Sequence, residues 1–281
     1  MWQDVRTRTF ERRRIAIVGV TVAVAFALGG CTNGASPTSD SEPSATPTTS
    51  ATARQGTVEF DGTVVAYSCR GEGSPAVILE AGTDSAGTQS FPPAFVDPIA
   101  EVTTVCTYDR LGTSAGSDDP PDHSRNLSDL IGVLDGVLGA LDLESPFVVA
   151  GQSGGGNIAI AYAEAHPDRV AALVTIEAYH DDPAMMAAMQ VEEGFTWEDN
   201  SEHMDWVQAS VEQDAYVMPF GEFPVLVISA TQADEGGVEN QAHWLQISPN
   251  SEQVEVEGPH DLQFTNPAET SAPIVDLIAG L

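Results

Sequence analysis

The chain has 281 residues, 42 Asp and Glu against 10 basic residues, and a formal net charge of −32. Every basic residue is an arginine, and Arg6, Arg8, Arg12, Arg13 and Arg14 crowd the N-terminus. This balance excludes a general nucleic-acid binder, which needs clustered Lys and Arg against phosphate, and the absence of lysine excludes P-loop and S-x-x-K chemistry.

The chain opens on that basic head. Ile15 to Gly30 follows as an uncharged, mostly apolar run. A bilayer span needs about 20 residues, so this shorter run suits the apolar core of an export signal. It ends Leu28-Gly29-Gly30-Cys31, which resembles a prokaryotic lipobox. In such proteins the leader is cut before the cysteine, whose sulfur carries diacylglycerol. The expectation is a leader over residues 1–30 and lipid on Cys31, holding the domain outside the cytoplasmic membrane. An uncleaved membrane helix is the alternative, with the same location. Residues 31–55 are rich in Ser, Thr, Pro and Ala and nearly free of large apolar side chains. They cannot offset the entropy of ordering and read as a flexible tether.

Residues 56–281 suffice for one domain with a large core. Thr57–Phe60 and Thr63–Ser68 read as a hairpin turning at Asp61-Gly62. Ala76–Glu80 and Thr103–Tyr108 read as buried strands. Leu127–Leu141 carries apolar residues at helical spacing. Pro146–Ala150 reads as a strand, Gly155–Ala165 as a helix closed by His166-Pro167, and Val170–Ile176 as a strand. Strands Pro224–Ser229 and Gln253–Val256 and a helix over Pro267–Ala279 complete the series. Such alternation implies an α/β fold, with a mostly parallel central sheet and helices on both faces. Residues 181–222 are too long for a simple crossover. Their Met185, Met186, Met189, Trp197, Met204 and Trp206 predict a short helical lid with an adaptable apolar underside. With Cys31 assigned to lipid, Cys69 and Cys106 remain, and outside the membrane such a pair tends to oxidise. A Cys69–Cys106 disulfide is expected; two buried thiols are the alternative.

Gly151-Gln152-Ser153-Gly154-Gly155 falls between a predicted strand and a predicted helix. This is the G-x-S-x-G elbow in its required context. The turn lifts the serine oxygen above the strand ends, and the following helix aims its N–H groups and positive end at the same point. A serine hydroxyl is a poor nucleophile until a base takes its proton. His260, in Gly258-Pro259-His260-Asp261, follows the last strand, where the order Ser…acid…His puts that base. His123, His166, His180, His203 and His243 occupy no comparable place. No H-E-x-x-H, H-x-x-E-H or EF-hand loop is present, so neither a metal nor a cofactor is expected.

Further landmarks are Ile78-Leu79-Glu80-Ala81-Gly82, Tyr108-Asp109-Arg110-Leu111-Gly112 with Gly116-Ser117, His166-Pro167-Asp168-Arg169-Val170, and Asn266-Pro267 after His260. In this order they make residues 57–281 resemble an α/β-hydrolase. The resemblance implies an α/β-hydrolase fold and a serine hydrolase acting on an ester or related acyl bond of a small molecule. It implies Thr83 and Gly154 as backbone oxyanion donors. The family's usual His-Gly is Ala81-Gly82 here, which a backbone donor tolerates. Family branches differ in the triad acid, and Glu177 and Asp234 both qualify. Asp234 lacks the usual G-x-x-D spacing, and Trp244-Leu245-Gln246 with Ser248-Pro249-Asn250-Ser251 resembles the branch with the earlier acid. Glu177 therefore stands first and Asp234 is the alternative. Asp109 and Arg110 read as a structural pair ordering the loop beside the oxyanion site. Acyl transfer, amide hydrolysis, and ligand or partner binding without catalysis are alternatives on the same fold.

Overall fold

A computed structural model describes residues 53–234 and 236–281. The expected leader, Cys31 and all of the expected tether before Ala53 lie outside these residues. Among the described residues one sheet contains β1 (Ala53–Phe60), β2 (Thr63–Arg70), β3 (Val77–Glu80), β4 (Val105–Tyr108), β5 (Phe147–Gln152), β6 (Val170–Ile176), β7 (Val225–Ala230) and β8 (Ser251–Val256). The strand order is β1-β2-β4-β3-β5-β6-β7-β8. β2 runs antiparallel to β1 and β4, and every other pair is parallel. The helices are α1 (Gly87–Ser90), α2 (Pro93–Ala100), α3 (Leu127–Ala140), α4 (Gly154–Ala165), α5 (Pro183–Glu193), α6 (Trp206–Asp214), α7 (Gly237–Gln241), α8 (Leu262–Thr265) and α9 (Pro267–Ala279).

Asp61 and Gly62 both adopt positive φ, 49° and 80°, as a tight hairpin turn requires. The hairpin runs further than its composition indicates. Ala53, Arg54 and Gln55 pair with Arg70, Cys69 and Ser68, so the last three residues of the expected tether belong to β1. Backbone pairing continues along an antiparallel edge whether or not the side chains are apolar.

The central strands are buried along their whole length, which explains their continuous apolar runs. Successive side chains point to opposite faces. Ile78, Val149, Leu173 and Val227 meet Leu134 and Leu138 of α3 and Ile160 of α4 on one face. Leu79, Val148, Val174 and Ile228 meet Phe95 and Ile99 of α2 and Ile274 of α9 on the other. Each such side chain contributes about 1.5–3 kcal/mol by leaving water. α2 carries no sequence expectation, because Pro92, Pro93 and Pro98 interrupt its pattern; Pro93 sits at the helix start, where a missing N–H costs nothing.

The expected lid region holds α5 and α6. Ala209 of α6 and the preceding Met204 pack on Leu127, Leu130, Ile158 and Ala161, rooting that end on α3 and α4. α5 has no buried residue, and Met185 and Met189 are 49% and 40% exposed. Cys69 and Cys106 face each other across β2 and β4 and are joined by a disulfide. Among the described residues no helix is long and apolar enough to cross a membrane.

Candidate active site

Ser153 lies between β5 and α4 with φ 53° and ψ −130°. A residue with a side chain pays on the order of 1–3 kcal/mol in such a region, so surrounding packing must hold it there. The Ser153 N–H donates to the Ile176 carbonyl at 2.9 Å, and the Gly156 N–H donates to the Ser153 carbonyl at 2.8 Å. A Cβ on Gly155 would collide with the Glu80 and Ala81 carbonyls. Backbone therefore packs directly on backbone where the elbow meets the end of β3.

That contact brings the two expected oxyanion donors to the serine. A Cβ on Gly82 would lie 3.6 Å from Ser153 Cβ, and one on Gly154 would strike Thr83 Oγ1. Thr83, in the segment after β3, and Gly154, the first residue of α4, thus both lie beside Ser153.

A buried charge network shapes the loop carrying Thr83. Arg110 donates from Nη1 to the Ala81 carbonyl and from Nη2 to the Gly82 carbonyl, both at 2.7 Å. It pairs with both Glu202 oxygens, Nε to Oε2 at 2.6 Å and Nη2 to Oε1 at 2.8 Å, and with Glu80 Oε2 at 3.3 Å. Glu202 Oε1 also accepts the Asp84 N–H at 2.7 Å. Asp84, at φ 56°, accepts at Oδ1 from the Ser201 N–H and hydroxyl. Both neighbours of Thr83 are therefore tied down, Gly82 by Arg110 and Asp84 by the Ser201-Glu202 segment. Burial pushes the Glu80 carboxyl up, with Arg110 pulling against it. Burial would lower the Arg110 guanidinium, but Glu202 and Glu80 outweigh it and keep the charge.

Asp109 and Arg110 do not form the expected pair. The Asp109 carboxylate accepts the Thr88 N–H at 2.7 Å and its hydroxyl at 3.1 Å, while Arg110 turns to Glu202 and Glu80. Neighbouring residues leaving a strand point to opposite sides. The expected role, ordering the loop beside Thr83, falls to Arg110 with Glu202. Nothing in the sequence around Glu202 signals it.

His260 stands between β8 and α8, and its Nδ1 is 3.3 Å from Glu177 Oε2. Glu177 is 0% exposed and follows β6 at φ 51°. Its Oε1 accepts from the Ala230 N–H and from Gln241 Nε2 on α7. Burial alone would push the Glu177 carboxyl up. The hydrogen bonds from His260, Gln241 and Ala230 outweigh it and hold the carboxyl below the usual range. The same bond to Glu177 lifts His260 above the ordinary imidazole value, against the pull of burial. A carboxylate on Nδ1 keeps the proton there and leaves Nε2 as the acceptor. Asp234, the other expected acid, is exposed. It makes no hydrogen bond to His260.

Ser153 opens into a pocket of about 430 Å³ bounded by Thr83 and Gly154 below and by Met185, Met186 and Met189 of α5 above. Trp206 of α6 covers the elbow: a Cβ on Gly154 would lie 2.9 Å from its ring. Tyr179, Asp181 and Asp234 complete one side. The volume suits one small molecule. A larger hollow of about 650 Å³ between Asp168 and Phe223 holds neither Ser153 nor His260. Among the described residues no cluster of His, Cys, Asp and Glu could hold a metal ion.

The family model for the alpha/beta hydrolase fold matches residues 75–205. Solved structures agree. An esterase from Thermogutta terrifontis is 16% identical, with a TM-score of 0.66 over 81% of this chain and 98% of that one. An enol-lactonase from Burkholderia xenovorans is 19% identical, with a TM-score of 0.62 over 79% of this chain and 99% of that one. A membrane phospholipase A, described as a bacterial virulence factor, is 19% identical, with a TM-score of 0.62 over 81% of this chain and 86% of that one. No curated protein sequence matches. The chain has the α/β-hydrolase fold.

Proposed function

We propose that the protein is a serine hydrolase cleaving a carboxylic ester or related acyl bond, held outside the cytoplasmic membrane by lipid on Cys31. Ser153 attacks the acyl carbonyl while His260 Nε2 takes its proton and then passes it to the leaving group. Glu177 orients the imidazole and stabilises the imidazolium. The N–H groups of Thr83 and Gly154 receive the negative charge that develops on the carbonyl oxygen. Water then enters by the same route and releases the acyl group from Ser153. The observation that carries this reading is the fully buried Glu177 bonded to His260, on the fold that holds Ser153 at a strained elbow. Export and anchoring rest on the basic head, the apolar run and Cys31.

The test uses the full chain in non-ionic detergent and a fluorophosphonate probe, with the adduct mapped by mass spectrometry. A single adduct on Ser153 is expected, lost in Ser153→Ala and strongly reduced in His260→Ala. An unlabelled but folded protein would remove the catalytic reading and leave ligand binding. For the anchor, intact-mass and N-terminal peptide mass spectrometry of the wild type are expected to show a chain that begins at Cys31 and carries diacylglycerol there; a chain that keeps residues 1–30, or an unmodified Cys31, would remove the lipid from the proposal.

A further inference from the structure

We infer that the pocket under the lid selects acyl groups carrying a cation, an ammonium above all, and rejects those carrying a carboxylate. The inference rests on the hydrolase reading and names its substrate class.

Among the described residues the acidic and basic side chains that line the pocket are carboxylates only. Asp181 and Asp234 both line it. Asp181 is partly buried, and its carboxylate forms no hydrogen bond or ion pair with a described residue. A carboxylate taken from water without a partner is costly unless a ligand supplies the charge. Burial accordingly pushes the Asp181 carboxyl up, with His180 pulling it back. The two carboxylates accept without donating, and an ammonium supplies donors and charge together. The rings of Tyr179 and Trp206 and the three methionines offer the π faces and polarizable sulfurs that a cation with an apolar stem tolerates.

Among the described residues no arginine is at hand for an anionic acyl group. Arg70 is paired with Asp97, Arg169 with Asp135, and Arg110 with Glu202 and Glu80. Arg125 donates to the Glu202 carbonyl, and Arg54 lies on edge strand β1. None of them lines the pocket. A carboxylate entering it would meet two like charges, the repulsive element that gives a site its selectivity.

The test compares three 4-nitrophenyl esters of similar length: 6-aminohexanoyl, heptanoyl and adipoyl. The full chain is assayed in non-ionic detergent at low salt. The expected order of kcat/KM is aminohexanoyl, heptanoyl, adipoyl, with about a tenfold step between cation and neutral chain. Asp181→Asn is expected to shrink the aminohexanoyl-to-heptanoyl ratio at least about fivefold, and added NaCl to shrink it in the wild type. Hydrolysis of heptanoyl as fast as aminohexanoyl, or an unchanged ratio in Asp181→Asn, overturns the inference and leaves the hydrolase reading standing. Hydrolysis of none of the three, with Ser153 unlabelled by fluorophosphonate, overturns both.

Discussion

Ser153 and Glu177 both stand at positive φ, a conformation that side chains resist and that packing must impose. At Glu177 it turns the carboxylate back over the sheet edge, where the Ala230 N–H, Gln241 and His260 converge on it. Asp234 has no such set of partners. Glu177→Gln is expected to lower kcat on the order of 10³-fold by unsettling the imidazole tautomer, and Asp234→Asn by less than about tenfold. Steady-state kinetics on one ester decides, and the reverse order would move the role to Asp234. The pair also sets a pH limb. His260 must be neutral to accept a proton, and its bond to Glu177 favours the charged form. Activity is therefore expected to rise with pH through a midpoint above the ordinary histidine value of about 6.5. In Glu177→Gln the anionic partner is gone and the midpoint falls. A limb at the same pH in both proteins would dissociate it from His260.

Among elements, the segment between α5 and α6 does more than cover the pocket. Glu202 and Ser201 grip Asp84, and Glu202 holds the Arg110 that grips Ala81 and Gly82. The segment between α5 and α6 and the loop carrying Thr83 are thus one hydrogen-bonded unit. Glu202→Gln removes the main counter-charge of a buried arginine, a change that costs several kcal/mol when a pair is fully broken. It is expected to lower the melting temperature and to cut kcat about 10- to 100-fold with a smaller effect on KM, because oxyanion donors act on charge that develops only in the transition state. Asp84→Asn keeps the left-handed backbone and an acceptor for Ser201, and is expected to be much milder on both readouts. The disulfide ties β2 to β4 across a sequence separation of 37 residues. Replacing Cys69 and Cys106 together by Ala is expected to cost about 2–4 kcal/mol, read from urea unfolding.

At the scale of the whole molecule the charge dominates. Forty-two acids against ten arginines leave a net charge of −32, and the described domain loses half of those arginines with the N-terminus. Self-repulsion destabilises a compact state of this charge, and salt screens it. Raising NaCl from about 0.01 M to about 1 M shrinks the Debye length from about 30 Å to about 3 Å. A rise in melting temperature is expected over that range, most of it at the low end. A flat profile would show that the acids are spaced so that they do not oppose folding.

What the amino-acid sequence determined alone is what contiguous residues encode. Asp61-Gly62 dictates a hairpin turn, the leucines of α3 a helix face, the apolar runs of β5 and β6 buried strands, and the glycines around Ser153 an elbow. In each the cause is local sterics or a side-chain period along the chain. α2 escaped that reading because its prolines mask the period, and the start of β1 did so because strand pairing needs no apolar side chain. The candidate acids were both visible, yet their ranking leaned on resemblance. Only the tertiary structure brings Glu177 to His260, 83 residues away, and Glu202 to Arg110, 92 residues away. Such contacts depend on strand order, on which end of the sheet a loop leaves, and on burial that makes an unpaired charge too costly. A single carboxylate has no local signature, and in a chain with forty-two acids only its buried partners set one apart from the rest.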